Sequence, residues 1–279
     1  MTRLGAESAA FRAAVRKEWQ VMARYKSNLV TLAGAAVVVP AGYYAQAVGY
    51  SGASRQALDV FASRSGTTQI AGFIYLGWAI YLWISQMMWG PGSALRTERM
   101  QGSLEMVYLS PVSRFTILFG PATAQLIPAG LLFTVVGLML RFAFGVPIGP
   151  QQLLAGLVVV LASIPALFAL GALMSVITLR FRDAEGVVEA VRGALGLVCG
   201  VTYPIAVLPD WIQPISRALP PTQILEVLRD QVLRPAWAAG TGTRLVYLLG
   251  VGVAMSVLAT ISLSWALRSA HRTGRLGQY

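Results

Sequence analysis

Charge is what this sequence has least of. Only 12% of its 279 residues are Asp, Glu, Lys or Arg, against the roughly 25% with which a soluble domain covers its water-facing surface. That shortage excludes a water-soluble globule, and the 56% of hydrophobic residues excludes disorder, whose precondition is low hydropathy. One cysteine, Cys199, and one histidine, His271, allow no internal disulfide and too few ligands for a metal site or His-based catalysis. No Gly-Lys-Ser/Thr phosphate-binding loop is present, so the chain carries no ATP-hydrolysing motif of that kind. What remains is an integral membrane protein, in keeping with a mean hydropathy of +0.63.

Acidic residues are the scarcer charge: 11 against 22 basic ones, a net charge of +11. The basic residues are scattered at the ends of apolar runs, which is the pattern of topology signals and phospholipid contact, not of nucleic-acid binding. Six apolar runs each approach the ~20 residues needed to cross about 30 Å of hydrocarbon. They cover residues 29–48, 69–89, 115–142, 151–179, 186–207 and 244–267, all within one transmembrane permease-sized domain of 279 residues. Pro40, Pro128 and Pro165 predict kinks, because each removes a backbone donor. With the N-terminus inside, one side of the membrane holds the six basic residues up to Lys26, then Arg96, Arg99, Arg114, Arg180, Arg182, Arg268, Arg272 and Arg275. The other side holds half as many: Arg55, Arg64, Arg141, Arg217, Arg229, Arg234 and Arg244. This bias predicts a multi-pass protein of the cell membrane with both termini in the cytoplasm.

Three polar segments interrupt the apolar runs. Residues 7–25 read as an amphipathic interfacial helix, with Phe11, Val15, Trp19, Met22 and Tyr25 on one stripe and Arg12, Arg16, Lys17, Gln20 and Arg24 elsewhere; Glu18 sits beside the apolar stripe. Such a helix serves either as a headgroup anchor alone or also as a docking surface. Residues 94–110, between the second and third runs, are too polar for the bilayer, yet Leu104, Val107 and Tyr108 recur at helical spacing between Gly102 and Pro111. A short cytosolic helix is expected there, with Arg96, Glu98, Arg99 and Glu105 open to water or to a partner. Residues 208–235 are cut by Pro209, Pro214, Pro220 and Pro221 into two amphipathic pieces, one carrying Trp211, Ile212, Ile215 and Leu219, the other Ile224, Leu225, Leu228 and Val232. Both are too short to span and predict an outer re-entrant hairpin.

The run from Glu98 through Glu105 to Pro111 and Arg114 resembles the signature that precedes the third span in the type-2 ABC exporter permease family, and the Pro209, Trp211 and Pro214 hairpin resembles the one before its last span. The resemblance extends over nearly the whole chain. It implies an all-α fold of six spans that forms one of two permease subunits, identical or paralogous, in a complex with two ABC ATPase subunits. ATP and Mg2+ would then belong to the ATPase, with no cofactor on this chain. Glu98, Arg99, Leu104, Glu105 and Tyr108 would couple ATPase motion to the spans, and Trp211, Pro214 and Pro220 would gate the outer exit. The Gln101–Glu105 and Ser110–Arg114 pieces resemble the drug and natural-product branch more than the branch that exports lipid-linked polysaccharide or glycolipid.

Within the spans, Glu189 and Arg192 lie three apart on one helix face, with Glu185 a turn earlier. An unpaired charge in hydrocarbon is expensive, so they are expected to pair with each other or with another element; a coupling role and a proton relay are the competing readings. Trp78, Tyr81, Ser85 and Trp89 recur on one face of the second run, with Gln86 beside them. This stripe suits either an amphipathic substrate or an interfacial belt with bundle packing. Gly171/Ser175 and Gly250/Ala254 are small-xxx-small pairs that point to helix packing. A proton-coupled carrier or a membrane scaffold remain as other function classes; a carrier of the first kind would show broken spans in related halves, whereas the broken segment here occurs once.

Overall fold

The computed structural model describes residues 3–51, 55–90, 112–178, 184–234 and 240–272, together with Arg96, Glu98, Met100, Gly102 and Met106. Among the described residues the regular structure is helical. Helix α1 (Arg3–Arg24) is followed by α2 (Lys26–Ser51), α3 (Arg55–Ser65), α4 (Ile70–Trp89), α5 (Arg114–Ala124), α6 (Leu126–Leu138) with a π-helical turn (Met139–Ala143), α7 (Pro150–Thr178), α8 (Ala184–Val198), a 3-10 turn (Ile205–Val207), α9 (Gln213–Ala218), α10 (Pro220–Leu233) and α11 (Thr241–Arg272).

Five helical stretches are long and apolar enough to cross a membrane: Lys26–Gly49, Ile70–Trp89, Phe115–Ala143, Pro150–Thr178 and Thr241–Trp265. They coincide with five of the six predicted runs. The fifth run is the exception. Its helix, α8, has 15 residues, about 22 Å at 1.5 Å per residue, and the expected continuous helix over 186–207 ends at Val198. Gly200 adopts φ 69°, the left-handed conformation that terminates helices and that glycine reaches without a Cβ penalty, and Pro204 follows.

The third run also breaks. Gln125 closes α5 through a tight bond from its N–H to the Ala122 carbonyl at 3.1 Å and opens α6. Pro128, three residues on, can donate to no carbonyl, and its ring crowds the carbonyl four residues back, at Ala124; this places the predicted disruption. Pro40 and Pro165 instead lie inside helices that continue through them.

Helix α4 carries no charged residue and forms the centre of the bundle, packed by α2, α6, α7, α8 and α10. Its Tyr75, Ile80, Trp83, Ile84, Met87 and Met88 are fully buried. Helices α7 and α11 form the most extensive helix pair, and Gly252 marks their close approach: a Cβ there would lie 2.6 Å from the Ala166 backbone nitrogen. The predicted Gly250/Ala254 pair is exposed, with open space around Gly250, so the packing residue is two positions away. Gly171, by contrast, does face the Met87 carbonyl of α4.

The two pieces of the predicted hairpin differ in depth. On α10, Ile224, Leu225, Leu228 and Val232 are buried against α4, α7 and α11. Around α9, Trp211 and Ile215 are exposed while Ile212 and Leu219 are half-buried, so the first piece does not bury its expected apolar face intact.

Candidate functional site

Three polar contacts join four elements at one end of the bundle. Ser113 caps α5, its hydroxyl accepting from the Thr116 N–H at 3.2 Å, and the Thr116 hydroxyl donates to Glu7 of α1 at 3.2 Å. Farther along α1, the Lys17 ammonium donates to Glu98 at 2.8 Å. Arg96, two residues before Glu98, pairs with Glu185 in the first turn of α8 at 3.6 Å. The segment between the second and third runs is thereby tied to α1 on one side and to α8 on the other. Arg96, Glu98 and Met100 are helical, and so is Met106 beyond Gly102.

Electrostatics at this junction are those of a wet surface. Lys17 is held above its ordinary value chiefly by its hydrogen bond to Glu98, with burial opposing and the charges of Glu98 and Glu18 assisting. Glu18 is pushed up by burial, with Lys17 pulling the other way. Exposed ion pairs of this kind contribute about 0.2–1 kcal/mol, so their consequence is geometric: they fix which elements move together. Met100 and Met106 are 73% and 75% exposed, an adaptable apolar surface of the sort that partners bury. Of the expected coupling residues, Glu98 lies at this junction; Arg99, Leu104, Glu105 and Tyr108 lie outside the described residues.

The α1 stripe divides along its length. Phe11, Val15 and Met22 are half-buried while Trp19 and Tyr25 are exposed, and the helix packs mainly on α5. The glutamate that interrupts the stripe in sequence, Glu18, is half-buried.

Along α4 the aromatic stripe is partly assembled. Trp78 stacks on Tyr43 of α2 with ring centroids 5.2 Å apart and meets Tyr81 edge-on at 5.1 Å. The Tyr81 hydroxyl donates to the Arg192 carbonyl of α8 at 3.4 Å, and Gly196 of α8 lies against the Tyr81 ring. The indole N–H of Trp78 is buried without a hydrogen-bond partner. Ser85 does not share this surface: it is 5% exposed and its hydroxyl donates back to the Tyr81 carbonyl at 2.8 Å. Gln86 and Trp89 are half-buried nearer the junction. Tyr43, which the sequence pattern did not single out, completes the aromatic wall.

Glu189 and Arg192 pair with each other, Nη2 to Oε2 at 2.6 Å and Nε to the same oxygen at 3.0 Å. Glu185 instead faces Arg96, so α8 contributes one internal pair and one link to the polar segment.

Two features were missed by sequence reasoning. A cavity of about 620 Å3 lies between α4, α6, α7 and α10, lined by residues including Trp83, Phe133, Arg141 and Leu228; Trp83 meets Phe133 edge-on, and its buried indole N–H has no partner. The other is Arg229 of α10, 8% exposed. Its guanidinium donates to the carbonyls of Phe73 at 3.1 Å, Gly200 at 2.9 Å and Val201 at 2.6 Å and lies 3.4 Å from the Phe73 ring centroid. The signal for it was present, since Arg229 is four residues after Leu225 on an otherwise apolar face.

A model of the family described as "ABC-2 type transporter" matches residues 9–233. That interval contains α1, the junction, the aromatic wall and α10. No curated relative matches the chain.

Proposed function

Since the chain belongs to the ABC-2 type transporter family and is a transmembrane permease component of an ABC transporter, we propose that it is one of two permease subunits in an exporter that moves an amphipathic drug, natural product or lipid-like compound out of the cell. Membership implies association with an ABC ATPase. In this reading the ATPase subunits, two per complex, bind ATP and Mg2+, and their closure presses on residues 94–110 at the cytosolic face. The observation that carries the mechanism is the junction itself: Lys17–Glu98 and Arg96–Glu185 connect one polar segment to α1 and α8 at the same time. A push there moves the interfacial helix and the helix that borders the Tyr81 wall together. Met100 and Met106, exposed on that segment, suit an ATPase groove.

The same reading has α8 and the non-helical stretch after it complete a sixth crossing, with both termini cytoplasmic. The aromatic wall of Tyr43, Trp78 and Tyr81 offers flat apolar contact and one unpartnered donor, the Trp78 indole, to a substrate leaving between two permease subunits. Pro214, Pro220 and the exposed Trp211 stand at the exit, the outer gate.

A charge swap tests the coupling role. Reversal in Glu98→Lys should reduce substrate-stimulated ATP hydrolysis of the assembled complex while changing the chain's own stability by less than about 1 kcal/mol. Adding Lys17→Glu should restore part of the loss, because the pair is remade with opposite polarity. Unaltered ATPase assembly and stimulation in Glu98→Lys would remove this junction from the mechanism. Copurification with the genomically neighbouring proteins tests the partner directly: failure to recover an ATPase would favour a scaffold.

A further inference from the structure

Five arginines crowd one small cavity at the end of the bundle away from the Lys17 junction. The cavity, about 300 Å3, lies between α3, the turn after α8, α9, α10 and the start of α11, and its lining includes Arg64, Arg217, Arg229, Arg234 and Arg244 against the carboxylates of Glu226 and Asp230. Their pairing is uneven. Arg234 reaches Asp230 at 3.4 Å, and Arg244 reaches Asp230 at 3.3 Å and Glu226 at 4.0 Å. Arg229 is held by three backbone carbonyls. Arg64 and Arg217 have no carboxylate within ion-pair reach among the described residues: Arg64 donates to the Ala206 carbonyl and Arg217 to the Gln213 side-chain oxygen, each at 3.3 Å. Asp210 accepts from the Gln213 amide instead and is not part of the lining.

Counted over this lining, three positive charges are without a negative partner. Concentrated in one concavity with low-dielectric walls, they focus a positive potential. Burial also pushes the Glu226 carboxyl up, with Arg244 opposing, which weakens the acidic side of the balance. The chemistry that answers is an oxyanion with several acceptor oxygens: guanidinium forks bind phosphate through paired charge-assisted hydrogen bonds. The volume is about ten times that occupied by one water in the liquid (about 30 Å3), enough for a phosphate group and some of its waters.

We propose that this cavity binds a phosphate-class anion, held by Arg64 and Arg217 with Arg229 fixed at its base. Two sources present the same chemistry, the phosphodiester of an anionic phospholipid headgroup and a soluble phosphate. The site does not depend on the exported substrate or on the coupling mechanism.

The full-length chain is purified in detergent and its thermal unfolding followed with inorganic phosphate or with chloride at matched ionic strength. In parallel it is placed in nanodiscs containing equal phosphatidylglycerol and phosphatidylcholine, and the retained lipid is measured by native mass spectrometry. If the site takes soluble phosphate, phosphate raises the unfolding midpoint over chloride in the native chain. If it takes a lipid, phosphatidylglycerol is retained in preference to phosphatidylcholine. In either case the double variant Arg64→Gln, Arg217→Gln should weaken the effect by about tenfold, the loss expected for a charge-assisted contact. Both residues are exposed, so their replacement should leave the unfolding midpoint in chloride unchanged; Arg217→Gln alone repeats the test with a smaller change. No phosphate shift and no lipid preference, or a preference equal in native and variant chains, would overturn the proposal.

Discussion

A buried guanidinium three bonds deep in backbone carbonyls is the residue on which one end of this molecule turns. Arg229 joins α10 to α4 through Phe73 and to the chain leaving α8 through Gly200 and Val201. The carbonyls after a helix end have no intrahelical donor, and in a low-dielectric setting each unsatisfied one costs about 1–3 kcal/mol. Burial lowers the Arg229 pKa to about 9, with Glu226 and Asp230 opposing; the charge therefore persists at neutral pH. Arg229→Met should destabilise the chain by about 3–5 kcal/mol, as loss of a buried charged partner does. Arg229→Lys should rescue little, because a compact ammonium cannot span three carbonyls as a planar fork does. Thermal unfolding in detergent measures both; an unchanged midpoint in Arg229→Met would show that those carbonyls find other donors. The sequence held only half of this information. An arginine among Ile224, Leu225 and Leu228 marks a buried cation, but its partners are backbone groups 156, 29 and 28 residues away, and no spacing rule predicts such pairing.

Elements were legible to the extent that length alone decides them. An apolar run of about 20 residues must be helical in a bilayer whatever it packs against, and five helices accordingly lie where hydropathy puts them. The fifth run failed because hydropathy does not register where a chain stops being helical. Its stop signals were a glycine and a proline inside apolar sequence, and only the backbone shows that Gly200 takes a positive φ. The junction was half legible: the charged segment was visible as a surface helix, but Lys17 and Glu98 stand 81 residues apart and share no periodicity. The break at Gly200 can be tested. A Cβ there would lie 3.0 Å from both the Tyr203 carbonyl oxygen and the Ile205 side chain, so Gly200→Ala adds crowding to the left-handed conformational penalty of roughly 1–2 kcal/mol. The expected outcome is a lowered unfolding midpoint and weaker protection of the Cys199 thiol, which is buried in the native chain. Equal thiol reactivity in native and variant protein would mean that the turn tolerates a side chain.

On the scale of the whole molecule, α4 separates two surfaces on which an amphipathic compound could rest. One is the wall of Tyr43, Trp78 and Tyr81 between α2 and α8; the other is the cavity lined by Trp83 and Phe133 between α6, α7 and α10. Each offers aromatic area and one unpartnered indole donor, so composition does not choose between them. Their connections do. The wall borders α8, which is tied through Glu185 and Arg96 to the polar segment, whereas Trp83 is 1% exposed and belongs to the central core. Motion entering at the junction reaches the wall through one helix. Replacing Trp78, Tyr81 and Trp89 by alanine should therefore lower substrate-stimulated ATP hydrolysis in the assembled complex more than basal hydrolysis, and should shift the range of compounds exported. Trp83→Phe, which keeps the ring stacking and removes only the indole donor, should leave stimulation near its native level; Trp83→Ala would confuse the comparison, since truncating a buried aromatic costs about 3–5 kcal/mol. If the triple variant assembles and retains full stimulation while Trp83→Phe loses it, the wall is packing, and the compound travels through the cavity on the other face of α4.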